Sequence, residues 1–374
     1  MVFFTIVSKT CDNRIMVIRL NHMNDTIMKL NVRQIEIVNA IRFGKAERSS
    51  DFPGLLSGKA SLITIKRDLA ELLKRGFLTS SGKGPAVKYT VTSIGKVWTP
   101  VFNTYPSVDP DSRGTQMSYD HGFFESINFP LFSNEEEIEL DTATRAYAKH
   151  ACEGSEIIHK KELERFVIEM SWKSSSIEGN TYTLLDTERL LREGISAPGK
   201  TKDEAVMIIN HKKAFGFIHE HRELFAGEIK HATVEEVHKL LVAGLGVAHG
   251  VRRSGVGITG SIYKPLDNAF QIREALEALY GAVKRTQSPY AKALLVLLGM
   301  SYIQGFEDGN KRTARLIANG ILLAHGCAPL SYRSTDAVLY REATLIFYET
   351  LSMVTMKKIF IEQYLFSTKT YLVS

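Results

Sequence analysis

The sequence predicts a mainly α protein: a long helical body carrying one short β-hairpin, preceded by a small, basic α+β module. Three observations carry that reading. From residue 133 onward, apolar residues recur at helical spacing in segment after segment. Strand signals are nearly absent from that part, except at 253–263, RSGVGITGSIY. The positive charge is concentrated at the other end. Residues 29–98 hold 13 lysines and arginines against five acids, giving +8 in a chain whose total is +6.

The 374 residues, 44% of them hydrophobic, suffice for two or three domains with their own cores. No apolar run reaches the roughly 18 residues of a membrane span, so no membrane partner is expected. The first 28 residues form a β-prone extension with two runs, VFFTIV and RIMVIRL. Lys9, Asp12 and Arg14 interrupt it, which argues against a secretory leader. The cysteines, Cys11, Cys152 and Cys327, are widely spaced and odd in number. They suggest neither a disulfide framework nor a metal site and fit a reducing, cytoplasmic setting.

Within residues 29–98, RQIEIVNAIR places Ile35, Val38 and Ile41 at helical spacing. In SLITIKRDLAELLKRG, the residues Ile65, Leu69, Leu72 and Leu73 form one apolar stripe. Ser61 or Thr64 is placed to start this helix and Gly76 to end it. FLTS and VKYTVT flank a Gly/Ser/Lys tip and read as a hairpin. Helix, helix and basic-tipped hairpin together resemble a winged helix-turn-helix domain, with TIKRDLAELLKRGFL similar to its recognition helix. That resemblance implies DNA contact through Lys66, Arg67 and Lys74 on the helix and Lys83 and Lys88 on the hairpin. Docking of another protein on the same basic face is the competing expectation.

Residues 99–132, rich in Pro, Asp, Ser and Gly, read as a linker. Ser133 followed by NEEEIEL starts the helical body, 133–374, with acids in the first turn where the helix dipole favours them.

The most informative stretch is IQGFEDGNKRTAR, 303–315. It follows the apolar run ALLVLLGMSYI, and helical periodicity resumes with Leu316, Ile317, Ile321 and Leu322. DGNKR therefore lies at a helix N-terminus, whose free N–H groups and dipole favour an anion. Arg312 and Arg315 share a face, and Asp308 is placed to hold a divalent metal that bridges phosphates. An Asp-capped surface helix is the plainer alternative on these grounds.

GFEDGNKRTAR is similar to the signature of Fic-domain proteins, H-P-F-x-D/E-G-N-G/K-R-x-x-R. Three other stretches resemble the family in order: SSSIEGN (174–180), KDEAVMIINHKKAF (202–215) and GVRRSGVGITGSIYKP (250–265). The resemblance covers roughly residues 160–330. It implies a Fic-type helical bundle and AMP transfer from ATP with Mg²⁺ to a hydroxyl of a target protein. Asp308 would hold Mg²⁺. Gly309, Asn310, Lys311 and Arg312 would form the anion hole, with Arg312 and Arg315 meeting phosphates. Phe306 would anchor the loop. Gly257, Ile258, Thr259 and Gly260 would belong to a β-hairpin flap that holds the target chain. Ser174, Glu178 and Gly179 match the family's inhibitory motif on a helix at about 160–180, in which Glu178 would pair with Arg315 against the nucleotide.

The chain departs from the pattern at the base. Gln304 stands where the family has its histidine, and an amide cannot accept a proton near neutral pH. Gly305 replaces proline, which should loosen the turn. Lys311 stands where AMP-transferring members more often have glycine, and where members resembling Doc, a phosphotransferase, carry lysine. The histidines His211, His219, His231, His238 and His249 lie outside the motif. Three functions stay open: a weak, autoinhibited AMP transferase; an inactive nucleotide sensor coupled to DNA binding; and a Doc-like phosphotransferase. Whether inhibition acts within one chain or across a homodimer also stays open.

Overall fold

The computed structural model describes residues 29–373 apart from residue 103 and residues 115–117. The expected β-prone extension, 1–28, lies outside the described residues.

The basic module follows its sequence closely. Helix α1, Val32–Arg42, opens with a capping box between Asn31 and Gln34. Helix α2, Leu62–Lys74, is capped by the Ser61 hydroxyl on the Thr64 amide and buries Ile65, Leu69 and Leu72. Strands β1, Leu78–Ser81, and β2, Lys88–Val91, pair antiparallel from Leu78↔Val91 to Ser81↔Lys88. Helix α3, Ser93–Trp98, closes the module. Its terminal carbonyls would be orphans, but the half-buried Arg42 guanidinium caps them: Nη2 donates to Gly95 O (3.0 Å) and Lys96 O (2.8 Å). Lys66, Arg67, Lys74 and Lys83 are exposed, whereas Lys88 pairs with Glu47 at 2.5 Å.

Residues 99–132 are not the free tether their composition suggests. Tyr105, Tyr119, Phe124, Leu131 and Phe132 are buried, and a short helix α4, Phe123–Ser126, packs on the body. Proline and glycine set the turns here, but the aromatic residues between them pull the segment into the core. The module is fixed to the body in turn. Val97 O accepts from Met353 N (3.1 Å), and Lys357 lies 3.7 Å above the Trp98 ring.

The body comprises α5 (Asn134–Glu153), α6 (Glu156–Ile177), α7 (Leu184–Glu193), α8 (Lys202–Glu220), α9 (His231–Val242), α10 (Ala269–Arg285), α11 (Pro289–Ile303), α12 (Asn310–Ala324), α13 (Ala337–Thr350) and α14 (Val354–Thr370). Helix α11 is apolar all round and is accordingly buried from Ala293 to Ile303. Each fully buried leucine there contributes roughly 1.5–3 kcal/mol against exposure. Gly299 permits its contact with α10: a Cβ there would sit 2.5 Å from Leu279 Cδ1. Helix α12 packs against α11 and carries its polar start into the same core.

The hairpin expected at 253–263 is not formed. Among the described residues this stretch makes one turn, Ser261 N to Ile258 O (3.1 Å), and its neighbour Lys264 makes a single parallel bridge to Ser118. The segment is exposed from Arg253 to Gly255 and offers no second apolar strand, so nothing on its own chain completes a ladder.

Candidate active site

The turn between α11 and α12 is built by its own side chains. Helix α11 ends at Gln304 in the left-handed region (φ 53°), and α12 begins after Gly309 (φ 79°), where glycine meets the required backbone without strain. Asn310 closes the loop on itself: its Oδ1 accepts from Phe306 N and its Nδ2 donates to Phe306 O, both at 2.8 Å. Phe306 is buried and stacks on His238 with ring centroids 3.9 Å apart. His238 Nε2 donates to Asp308 O (2.9 Å). Arg252 clasps the other side, with its amide on Gly305 O (3.0 Å) and Nε on Gln304 O (2.6 Å). The loosening expected from Gly305 is therefore offset by three side chains that bind the backbone around it.

Gln304 is fully engaged. Its amide nitrogen donates to Ser301 O (2.6 Å) and Tyr348 Oη (3.2 Å), and its oxygen accepts from Asn310 Nδ2 (3.1 Å). It holds the turn and presents no group able to take a proton.

The start of α12 is a donor cradle. Gly309 provides no side-chain cap, leaving the first-turn amides without an intramolecular acceptor there. The plainer reading of an Asp-capped surface helix fails, because α12 is buried from its first residue. Arg312 and Arg315 are 2% and 1% exposed, and the Nη1 atom of each is buried without a partner. Two orphaned guanidinium donors beside free helix amides are what an anionic oxygen would satisfy. His211 is buried nearby, and burial, followed by the Arg315 and Arg312 cations, pushes its pKa well below the usual value. It stays neutral and adds no charge to the cradle.

Glu178, at the end of α6, answers that positive charge. Its Oε1 lies 2.9 Å from Arg315 Nη2 and its Oε2 lies 2.8 Å from Lys311 Nζ. Arg315 is further held by Ser174 through Nε to Oγ (2.8 Å) and Nη2 to O (2.9 Å). Burial by itself would raise the Glu178 carboxyl, but Arg315 and Lys311 outweigh it and the net shift is downward. The pair forms within one chain. Gly179 (φ 98°) turns the backbone out of α6 immediately afterwards.

Asp308 is the exposed edge of the cradle, its side chain 63% accessible and its Oδ2 3.0 Å from Arg312 Nη2. Among the described residues no group of three metal-binding side chains occurs. This single exposed carboxylate, whose Oδ1 also accepts from Gly309 N (2.5 Å), fits a hard cation such as magnesium only where a bound anion and water supply most of the ligands.

Of the residues singled out from sequence, Ser174, Glu178, Lys311 and Arg315 meet at one point, with Gly309, Asn310 and Arg312 beside them. Gly257, Ile258, Thr259 and Gly260 lie on the stretch reached through Arg252. The five basic candidates of the module belong to a separate surface. Sequence reasoning missed Arg252, Tyr348, His238 and the side-chain role of Asn310. The i,i+4 spacing of Phe306 and Asn310 was the only available hint, since the others arrive from distant elements.

Residues 228–322 match the sequence model of the Fic/DOC family. Relatives include a protein adenylyltransferase Fic from Nematostella vectensis, 27% identical over 49% of this chain and 44% of that protein. Another is protein adenylyltransferase fic-1 from Caenorhabditis elegans, 26% identical over 41% of this chain and 31% of that protein. The chain thus spans less than half the length of these curated relatives. Its fold is similar to that of a Fic-domain-containing signalling protein from Bacteroides thetaiotaomicron (TM-score 0.53, 18% identity, 62% of this chain and 94% of that one). It is also similar to residues 134–508 of C. elegans Fic-1 (TM-score 0.50, 21% identity, 64% and 71%). The match to the Fic/DOC family is thus confined to residues 228–322, and the mainly helical fold around it is similar to that of Fic-domain structures. No helix among the described residues is long and apolar enough to cross a membrane.

Proposed function

We propose that this protein binds ATP at the start of α12 and transfers AMP to a hydroxyl of a target protein, restrained by Glu178 and weakened by Gln304. The observation that carries the proposal is the paired donors: Nη1 of Arg312 and Nη1 of Arg315 are buried without a hydrogen-bond partner in the first two turns of a helix whose opening has no side-chain cap, the Arg315 guanidinium resting beside the Tyr340 ring. Such groups are costly to bury and gain most from a phosphate. The curated relatives named as protein adenylyltransferases support the reaction class.

The roles follow from position. The amides of Asn310, Lys311 and Arg312 receive phosphate oxygens, and Arg312 and Arg315 balance their charge. Asp308 is the residue that would hold magnesium, which when bound neutralises phosphate charge and orients the leaving group. Glu178 occupies Arg315 and Lys311 together, so a phosphate must displace a carboxylate held by two cations. Gly257 to Gly260 would receive the target backbone. Gln304 orients the loop but leaves the target hydroxyl without a proton acceptor, at a typical cost of ~10²–10⁴-fold in rate.

A second reading is favoured by Gln304 and the docked module: a nucleotide-sensing, DNA-binding regulator without transferase activity. Gln304 is committed on all its polar atoms. The module presents Lys66, Arg67, Lys74 and Lys83 on an exposed face in a winged-helix-like order of elements. Incubation with ATP labelled at the α- or the γ-phosphate separates the readings, using the parent chain, Glu178→Gly, and Glu178→Gly with Gln304→His. α-Label on protein, chiefly in the double variant, supports AMP transfer. γ-Label alone would place the chain with the Doc-like phosphotransferases. ATP binding without any label would leave the sensor.

A further inference from the structure

The stretch 105–120 does more than connect. Arg113 is 5% exposed and Glu349, near the end of α13, is 1% exposed, and the two form a buried ion pair at 3.1 Å. The same Glu349 carboxylate accepts from Tyr105 Oη (2.5 Å) and from Ser261 Oγ (2.6 Å). Arg113 Nη1 also donates to Gly260 O (3.0 Å). One buried charge pair therefore ties the connecting stretch, helix α13 and the foot of the 253–263 segment together. A second contact lies beside it: Ser118 bridges Lys264, and Tyr119 stacks on Tyr302, which stacks on Tyr263 at 4.7 Å. Residue 348, adjacent to Glu349, bonds Gln304. The helix that holds the foot of the segment thus also holds the turn of the cradle.

Apart from the bonds at Ser254 O, Ile258 O and Gly260 O, the segment is mostly exposed. Gly257, Thr259 and Gly260 are exposed, and among the described residues no backbone ladder pairs them. An exposed stretch on a rigid foot can dock a chain at low ordering cost, whereas one that must first be ordered binds more weakly.

We infer that Arg113, Glu349 and Ser261 form a clasp that fixes the foot of the 253–263 segment relative to the Gln304 turn, and that they are positioning residues for the acceptor protein chain that the transfer reading places on Gly257 to Gly260. The clasp makes the connecting stretch part of the site, so the N-terminal module and the docking segment share one mechanical support. This inference rests on the transfer reading only for its consequence in activity; the clasp itself is a property of the fold.

Hydrogen exchange on the full chain tests it without any reaction. Ser261→Ala removes the segment's own bond to Glu349, and Arg113→Ala removes the charge pair. Tyr105→Phe deletes a donor to the same carboxylate from the connecting stretch and leaves the Ser261 and Arg113 bonds in place. The amide at position 261, which bonds Ile258 O, should exchange about tenfold or more faster in Ser261→Ala and Arg113→Ala, after correction for the intrinsic rate, and within about twofold of the parent in Tyr105→Phe. Exchange at that amide within about twofold of the parent in Ser261→Ala, with the fold intact by circular dichroism, would overturn the clasp; that variant decides even if Arg113→Ala fails to fold. In a Glu178→Gly, Gln304→His background, Ser261→Ala should raise KM for a protein acceptor with kcat held. Absence of transfer in that background speaks against the transferase reading, and the exchange result still judges the clasp.

Discussion

Glu178 reaches Arg315 at 2.9 Å with one carboxylate oxygen and Lys311 at 2.8 Å with the other, neutralising the start of α12 from within its own chain. Two cations on one largely buried carboxylate make this lock stronger than a single pair would be.

Removing the carboxylate should expose that lock directly. Glu178→Gly is expected to lower Tm, because Arg315 keeps its burial and loses its counter-charge. Magnesium and ATP should then restore Tm in proportion to ligand excess. Calorimetry should give ATP binding at least about tenfold tighter than in the parent, a difference of about 1.4 kcal/mol. Unchanged affinity would mean that Glu178 is an ordinary ion pair.

Lys311 gives a graded test. Lys311→Met leaves the Arg315 contact and should yield a partial gain in ATP affinity, smaller than that of Glu178→Gly. Arg315→Ala should abolish binding and destabilise the fold by about 3 kcal/mol, the low end for a broken buried pair because Lys311 still faces Glu178. Chemical denaturation measures the second effect.

The base is tested by addition. In a Glu178→Gly background, Gln304→His should raise incorporation of α-labelled AMP by about 10²-fold. Gln304→Ala should cost about 1–2 kcal/mol of stability, since Tyr348 and Asn310 each lose a partner. Equal labelling with and without the histidine would refute the missing-base argument.

The module predicts a salt-dependent interaction. A gel shift on duplex DNA should weaken steeply with salt and weaken further in Lys66→Ala with Arg67→Ala, each lost phosphate contact reducing the salt slope by about 1. No shift at low salt would assign the basic face to protein docking.

Glu137 predicts a pH dependence of stability. Burial first, then Asp141 and Glu136, raise its carboxyl to about 7 against the opposing pull of Ser288 and Lys357. A carboxyl raised in the folded state holds a proton that the unfolded chain has already released. Its contribution therefore falls as pH rises from the ordinary carboxylate range to about 7 and is level above that. Glu137→Gln should flatten this slope, raising Tm at pH 8 more than at pH 5. Glu178, whose pKa is shifted downward, has the opposite sign: its lock is present above the ordinary carboxylate range and is lost only as pH falls below it.

The sequence by itself determined the helices, several of their caps and the helix start at α12, because these rest on local periodicity, on capping residues such as Ser61 and Ser133, and on a contiguous motif. It misjudged 99–132 and 253–263, since composition reports turns and β-propensity but not what packs against them. Arg113 meeting Glu349, Tyr348 meeting Gln304, and Lys311 meeting Glu178 were decided only by tertiary structure. Each is a polar contact between residues 44 to more than 200 positions apart, formed because burial leaves a charged or hydrogen-bonding group no water to turn to. Spacing along the chain carries no trace of such partners; the folded interior selects them.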